Sequence, residues 1–340
     1  MNVKRYAFFL LALMACLAHT TGAWAQKKPR AVTYSTLYDE PSVIHKLFVK
    51  IQPIYGELFA TNTTAGYGLE VEYYMKNQMH FMANARTSYA SVTEGVGNAA
   101  ANQNNAQSDP GQFVYAEFGA TYHISDSEKE AETRMILFRS SYKKGNKWAA
   151  KVPDKIRIPA KVRKIIGARL GGIYYNTGVD MNRTLKSQDG LKLYPEGLTS
   201  GDLFVDQNST VYGGMRSMGG YVGASMSYIR NIAIKPDKTY GNLMDDRMIE
   251  VFADLLFMPY NKFDELLYQN VRIDTSPVKT TTIGYRAGIN GKFNRTFTWS
   301  YGGEIGYRPG IAERGFYAVI KVGFPVFGTS LKDEVEAFGR

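Results

Sequence analysis

The feature that most constrains the fold is a repeated alternation of apolar and polar residues, in segments of about ten to fourteen residues separated by turn-rich breaks. The segments 67–76, 280–293, 296–308 and 315–327 show it most clearly. In 296–308, aromatic and aliphatic residues occupy one parity, and Thr, Ser, Glu and Arg occupy the other. Because successive side chains of a strand point to opposite faces, each segment predicts a β-strand with one apolar and one polar face.

Such strands fit two architectures. In a soluble barrel or secreted β-sandwich the apolar faces point inward, whereas in a transmembrane barrel they face lipid and the lumen is polar. The length of the segments favours the membrane barrel, since about ten tilted residues cross a bilayer and soluble strands average about five or six. A membrane protein built of helices is excluded, because after the N-terminal residues no apolar run approaches the roughly 20 residues of a spanning helix.

Two further patterns favour the membrane barrel. Aromatic residues mark the ends of the segments, as in interfacial girdles: Tyr67, Tyr89, Tyr122, Tyr228 and Tyr307. Glycines lie on the polar faces, where they make room inside a narrow curved sheet: Gly68, Gly119, Gly223, Gly284, Gly288 and Gly306. The soluble sandwich remains the alternative.

The number of strands follows from the segments and from parity. Eleven segments are recognised, at 46–59, 66–76, 78–90, 112–124, 132–142, 164–177, 219–234, 245–258, 279–293, 296–308 and 315–327. Single-chain bacterial barrels normally have an even number, and an odd count would place the long polar loop 91–111 among the short turns. One more strand within 142–164 restores the parity. We therefore predict an all-β, antiparallel, up-and-down transmembrane barrel of about twelve strands, ten to fourteen being allowed, with a polar lumen.

The N-terminus predicts export. Residues 1–25 combine Lys4 and Arg5 with an apolar run over 6–17 and a small-x-small cleavage site ending at Ala25. A lipoprotein signal acylated at Cys16 is the alternative, although Met14 fits that pattern poorly. Cleavage after Ala25 leaves a mature chain without cysteine, which suits an oxidising envelope.

The remaining chain divides into a lead-in over 26–44, a barrel over 45–327 and a charged tail over 328–340, with the lead-in and tail expected in the periplasm. The sequence carries 41 Lys and Arg against 31 Asp and Glu. In an exported protein, this excess points to anionic lipid head groups or acidic ligands, and no nucleic-acid partner is expected.

The signal peptide, the Tyr- and Gly-rich strands and a last strand ending at Phe327 resemble the outer-membrane β-barrels of Gram-negative bacteria, in particular uncharacterised barrels of Bacteroidota. The resemblance covers nearly the whole mature chain and lies in the strand pattern. It implies the outer membrane as location and outer-membrane lipids, including lipopolysaccharide, as partners. It also implies the barrel-assembly machinery as a partner during biogenesis, because Phe327 resembles the terminal aromatic signal, although here the tail over 328–340 follows it.

Few residues point to chemistry. The mature chain has His45, His80 and His123, without metal-ligand spacing, HExxH or CxxC, so no metal, cofactor or catalytic site is predicted. The sharpest enzymatic hypothesis is a lipid hydrolase that uses His123 and Ser125, whose spacing of two places them on one strand face. Strand parity points that face to the lumen, away from lipid, and no acid is placed to orient the imidazole. The adjacent Asp245 and Asp246 would face opposite ways, so we interpret them as solvated turn charges and exclude an acidic dyad.

The polar faces themselves form the candidate site. Parity assigns to the lumen a set of charged residues of both signs: Glu70, Glu72, Lys76, Arg86, Glu117, Arg169, Glu250, Asp254, Arg286, Lys292, Glu304, Arg308 and Lys321. They either cross-link the interior as ion pairs or line a narrow passage with a mild anion preference. The first alternative predicts a structural or interaction role carried by the external loops, and the second a narrow, porin-like channel for solute uptake. A secretion or envelope complex as partner stays open.

Overall fold

The computed structural model describes residues 33–59, 62–75, 78–89, 112–138, 143–144, 147–148, 153–209, 211–236, 241–296 and 298–329. The predicted signal peptide lies outside the described residues, as do the first part of the lead-in and all but the first two residues of the tail. Among the described residues, no helix is long and apolar enough to cross a membrane.

Ten strands form the barrel, and we number them in chain order. They are β1 (Leu47–Phe59), β2 (Asn62–Met75), β3 (Met79–Ser88), β4 (Val114–Phe138), β5 (Pro153–Asp180), β6 (Tyr212–Ile229), β7 (Arg247–Phe263), β8 (Ile283–Phe293), β9 (Ser300–Tyr307) and β10 (Phe316–Gly328). Each pairs antiparallel with its neighbour in sequence, and β10 pairs with β1 to close the barrel. The predicted all-β, antiparallel, closed barrel is therefore confirmed.

The predicted count of twelve strands is wrong, although the observed ten lies within the allowed range of ten to fourteen. The difference arises because two pairs of predicted strands are each one continuous strand. The segments predicted at 112–124 and 132–142 belong to β4, and the strand predicted within 142–164 continues into β5. The charged residues 125–131 contain no Gly or Pro and keep pairing with β5 instead of turning. Pro159 is tolerated because β5 has a partner on one side only until Arg163, where β6 joins it.

The two ends of the barrel differ. At one end, which we call the loop end, lie the connections 181–211, 264–282 and 308–315. They contain helix α1 (Met181–Ser187) and two small ladders, one pairing Leu266–Tyr268 with Val271–Ile273 and one pairing Thr280–Thr281 with Gly310–Ile311. The described parts of both chain ends meet at the other end, where the Lys46 N–H donates to the Thr329 hydroxyl at 2.9 Å.

At this second end, which we call the hairpin end, β4 and β5 continue past the barrel wall as a two-stranded hairpin. A three-stranded sheet of Tyr34–Asp39, Ile232–Pro236 and Leu243–Asp245 packs against it. The shared apolar core contains Met135, Leu137, Ile156, Ile158, Ala160, Ile232 and Ile234, all buried. The hairpin and the sheet therefore form a small two-layer module outside the barrel, and Lys143–Lys144 pairs with Lys147–Trp148 near the tip.

Along the barrel strands, apolar side chains face outward and polar ones inward. In β7, Leu255 and Phe257 are exposed, whereas Asp254 and Leu256, which alternate with them on the inner face, are buried. The same alternation in the other strands produces an outer belt that includes Ile54, Leu69, Phe118, Leu170, Val222, Tyr285, Ile305 and Ile320. This arrangement is the reverse of a soluble barrel or sandwich, whose apolar faces are covered.

Candidate functional site: a sealed, charged lumen

The middle of the barrel interior is built around Arg286. Its guanidinium donates from Nε to Asp254 at 2.8 Å and from Nη2 to Glu117 at 2.5 Å. Asp254 also accepts from Nε of Arg169 at 3.0 Å, and Arg169 reaches Glu250 at 3.2 Å. All these groups lie on inward positions of β4, β5, β7 and β8, so the network ties four strands together across the lumen.

A second charged layer lies nearer the hairpin end. Lys50 bridges Glu70 and Glu72, Lys321 donates to Glu70 at 2.8 Å, and Lys292 pairs with Glu72. The ring of Tyr74 stacks on that of His80 with 4.2 Å between the centroids, and Lys292 donates to the Tyr74 hydroxyl at 2.8 Å.

The layer nearest the loop end holds one cation in an aromatic cage. Arg308 donates to Glu57 at 2.5 Å, and its guanidinium carbon lies 4.1 Å from the ring centre of Tyr317 and 5.1 Å from those of Phe59 and Tyr175. The Tyr175 hydroxyl in turn donates to the carbonyl of Pro309, which fixes the chain next to Arg308. Desolvated cation–π contacts of this kind stabilise a buried guanidinium.

The charges of the three layers balance. Together with Arg86 and Glu304, which pair with each other at 3.5 Å, they contain seven cationic side chains, Lys50, Arg86, Arg169, Arg286, Lys292, Arg308 and Lys321. They also contain seven carboxylates, Glu57, Glu70, Glu72, Glu117, Glu250, Asp254 and Glu304. Every one of the fourteen is in an ion pair, so these three layers hold no unpaired charge among the described residues that could select a passing ion.

Apolar clusters close both ends of this charged interior. At the loop end, Met181, Leu193, Val205 and Ile311 of the connecting segments join inward residues of the strands such as Tyr221 in one buried cluster. At the hairpin end, Phe48, Ile165, Ile229 and Met248 form a second cluster, against which Ile44 and Tyr74 pack.

The chain before β1 is held across the hairpin end by two fully buried asparagines. Asn231 donates to the carbonyls of Glu40 and Val43 at 2.9 and 3.0 Å, and Asn294 donates to Val43 at 2.9 Å. Beside them, burial lowers the pKa of the His45 imidazole below its ordinary value, although the carbonyl of Thr329, which contacts Nδ1, acts in the opposite direction. Residues 40–46 therefore cover this mouth of the barrel.

Little space remains between the charged layers. The gap beside Lys50, Lys292 and Lys321 holds little more than a water molecule, and the gap beside Arg86 and Arg286 is smaller still. Glycine is what lets large side chains cross the lumen, since a Cβ at Gly119 would lie 1.9 Å from the Tyr221 hydroxyl.

The structure places the predicted lumen residues as follows. Lys76 lies outside the described residues. Those nine-tenths or more buried inside the barrel are Glu70, Glu72, Arg86, Glu117, Arg169, Asp254, Arg286, Lys292 and Arg308. Those partly buried there are Glu250, Glu304 and Lys321.

Sequence analysis missed Lys50 and Glu57 of β1. Both face inward, although in a regular strand an even-numbered and an odd-numbered residue would face opposite ways. A β-bulge between Gln52 and Tyr55 shifts the pattern, because Pro53 and Ile54 stand opposite the single residue Tyr67. Pro53, which has no N–H to donate, was the only local signal for it.

The geometry required by the hydrolase hypothesis is absent. A register shift between His123 and Ser125 leaves Ile124 unpaired, so that His123 pairs with Gly167 and Ser125 with the next residue, Ile166. The two side chains therefore point to opposite faces, contrary to the prediction of a shared face. Among the described residues, no group of three His, Cys, Asp or Glu side chains could hold a metal ion.

The prediction that Asp245 and Asp246 are solvated turn charges is also wrong, since both are buried. Asp245 accepts from the Thr133 hydroxyl at 2.5 Å and from Arg247 at 2.6 Å, which fastens the hairpin to the barrel. Asp246 accepts the N–H groups of Arg295 and Thr296 at 2.7 and 2.8 Å, which orders the turn between β8 and β9.

Comparison with known proteins identifies little. No family model and no curated protein matches the sequence. Among solved structures, the chain is similar to one described as the CymD monoaromatic hydrocarbon channel, with 8% sequence identity and a TM-score of 0.25, over 86% of this chain and 93% of that one. A similarity of this size says nothing about what the present chain binds or conducts.

Proposed function

We propose that this chain is a non-conducting outer-membrane barrel, a closed anchor whose work is done by the modules at its two ends. The loop-end cap would face the exterior, and the two-layer module at the hairpin end would face the periplasm. This orientation follows the rule that a bacterial barrel with an even number of strands keeps both termini in the periplasm.

One observation carries the proposal. The charged groups of the lumen are buried as well as paired, with only 3% of Asp254 and of Arg286 accessible to water. In a water-filled pore, the side chains of the lumen line the channel and are wet. Buried charges of this kind cross-link the wall, and their full pairing is what makes their burial tolerable.

The exposed apolar belt supports the membrane location. Contiguous exposed apolar surface of this extent is rare on soluble monomers, and a belt that encircles a barrel fits a lipid bilayer. Tyr67, Tyr122 and Trp299 lie exposed on its borders, as expected of residues at the membrane interface.

The end modules are the candidates for an interaction role because they are ordered by contacts of their own. The hairpin module has a separate apolar core and is tied to the barrel by Asp245, while Asp39 accepts the backbone N–H of Lys161 at 2.9 Å and covers part of an open strand edge. A partner in an envelope or secretion complex would meet this module or the cap.

Fractionation of cells that express the full-length chain tests the membrane part of the proposal. The expected result is recovery with the outer membrane and a band that migrates differently with and without boiling, as closed barrels do because they resist detergent until heated. Recovery as a soluble periplasmic protein without a heat-dependent shift would overturn it.

A further inference from the structure

The outer border of the apolar belt carries a cationic pair on two neighbouring strands. Met218 of β6 and Tyr260 of β7 are paired in register, and both are exposed on the outer face. Two residues closer to the loop end on the same face, Arg216 and Lys262 are paired in register and also exposed. The belt therefore changes at this point directly from apolar side chains to a row of hydrogen-bond donors.

Two like charges directly opposite each other on adjacent strands repel and destabilise the sheet. Arg216 is partly neutralised by Asp264, whose carboxylate lies 2.8 Å from Nη2. Lys262 makes no side-chain hydrogen bond or ion pair with the described part of the chain. The pair thus keeps a net positive charge and free donors that face outward.

This pair is singular among the described residues of the barrel strands. Along the described residues of the ten strands, Arg216 and Lys262 are the only Lys or Arg side chains that face outward at the loop-end border of the belt. At the same border several other strands present apolar or aromatic residues, including Leu58, Tyr67, Ile283 and Phe316, and β5 presents the uncharged Asn176 in register with Arg216. A general attraction to the membrane surface would be spread around the rim, whereas this charge is confined to one pair.

We propose that Arg216 and Lys262 bind a phosphate group on the head group of an outer-leaflet glycolipid of the lipid A class. The inference rests on the proposed membrane location and orientation. A phosphate accepts charge-assisted hydrogen bonds from guanidinium and ammonium groups, and it would relieve the repulsion between the two cations. The acyl chains of the same lipid would lie against Met218 and Tyr260, which a soluble phosphate could not use.

The test measures binding of diphosphorylated lipid A to the detergent-refolded full chain by native mass spectrometry. We compare wild type, the double variant Arg216→Ala/Lys262→Ala, and a control, Lys161→Ala/Lys235→Ala, which removes two exposed cations at the hairpin end. The expected result is about a tenfold or greater loss of affinity in the first variant, from the loss of charge-assisted hydrogen bonds, and no change in the control. Dephosphorylated lipid A should bind wild type no better than it binds the double variant.

Three outcomes would overturn the inference. They are equal binding by wild type and the Arg216/Lys262 variant, an equal loss in the control, and inorganic phosphate competing as strongly as lipid A, which would mark a site for free anions. The heat-dependent gel shift is recorded for every sample, so a wild type without the shift contradicts the membrane proposal itself. A shifted wild type with no lipid preference contradicts only the glycolipid site.

Discussion

Arg286 and Asp254 stand directly opposite each other on β8 and β7 and form a buried ion pair, with 2.8 Å between Nε and Oδ2. The two adjacent strands are therefore joined twice at this level, by the backbone ladder and by this side-chain ion pair. Because Arg286 also binds Glu117 of β4 and Asp254 also binds Arg169 of β5, the contact extends across the lumen to the opposite part of the wall. A barrel braced in this way resists both opening and wetting.

We expect Arg286→Ala to destabilise the refolded barrel by about 3–5 kcal/mol, because it leaves the buried carboxylates of Asp254 and Glu117 without compensation. Glu304→Ala should cost less, since Glu304 lies farther from its partners, 3.5 Å from Arg86 and 3.7 Å from Arg286. The loss of stability is measured from the urea midpoint, which is the concentration at which half of the protein no longer migrates as the folded, unboiled band. In a double-mutant cycle, Arg286→Ala with Asp254→Ala should show clear coupling, and additivity of the two single losses would refute the proposed bracing.

Gly119→Ala should destabilise the barrel by about 1–3 kcal/mol, because the new Cβ would overlap the Tyr221 hydroxyl, 1.9 Å away. Gly56→Ala is the matched control, since a Cβ there would have no heavy atom within 4 Å. The two variants are compared by the temperature at which the folded band disappears from the gel. Adding Tyr221→Phe to Gly119→Ala should restore part of the loss, and an equal effect of the two alanine substitutions would show that crowding by Tyr221 is not the cause.

Asn231→Ala should loosen residues 40–46 without unfolding the barrel. The substitution removes two partly buried hydrogen bonds, to the carbonyls of Glu40 and Val43, each contributing about 0.5–1.5 kcal/mol. Hydrogen exchange should accelerate at the amide of Val43 and its neighbours and stay unchanged in β7. Ser42→Ala, at an exposed position of the same segment, serves as control and should leave the exchange of this segment as in wild type.

Acid should weaken the hairpin module through Asp245. Burial raises the pKa of its carboxyl, but hydrogen bonds from Arg247 and Thr133 and the charges of Arg247 and Arg230 outweigh burial and hold the pKa below its ordinary value. A lowered folded-state pKa contributes stability that is present above the unfolded pKa, about 3.8, and is lost as the pH falls through the folded value.

Hydrogen exchange at Met135 and Ile158, corrected for the intrinsic effect of pH, should therefore accelerate in that acidic window. In Asp245→Asn the two amides should exchange faster already at neutral pH and lose most of this pH dependence. Asp274→Asn, in the loop-end cap, is the control and should behave as wild type. A pH response that persists in full without Asp245 would contradict this assignment.

How much of this could be predicted from sequence depends on where the period-two pattern persists. The antiparallel strands and the closed barrel were predictable because segments such as 280–293 alternate without interruption. The strand count was not, because the charged residues 125–131 look like a turn and only their pairing with β5 shows a strand that leaves the barrel. Bulges at Pro53 and Ile124 then reverse the facing of every residue beyond them, which hid Glu57 and separated His123 from Ser125.

The ion-pair partners were beyond sequence analysis for a different reason. Parity can assign Arg286 to an inner face. Its contact with Glu117, which lies 169 residues away along the chain, depends on how the barrel closes. The aromatic cage of Arg308 likewise draws on Phe59, Tyr175 and Tyr317 from three strands that meet only in the closed barrel. Closure of the loop end follows from connecting segments, and closure of the hairpin end follows in part from residues 40–46 before β1; neither sequence carries a periodic pattern.

The most direct test of the central claim is electrical conductance of the refolded, heat-shifted protein in a planar lipid bilayer. A lumen closed by apolar clusters at both ends and filled by paired charges predicts insertion without conductance steps above the baseline. Steady and reproducible single-channel steps from the wild-type protein, above all steps whose anion preference disappears in Arg286→Gln or Arg308→Gln, would contradict the sealed barrel and establish a channel.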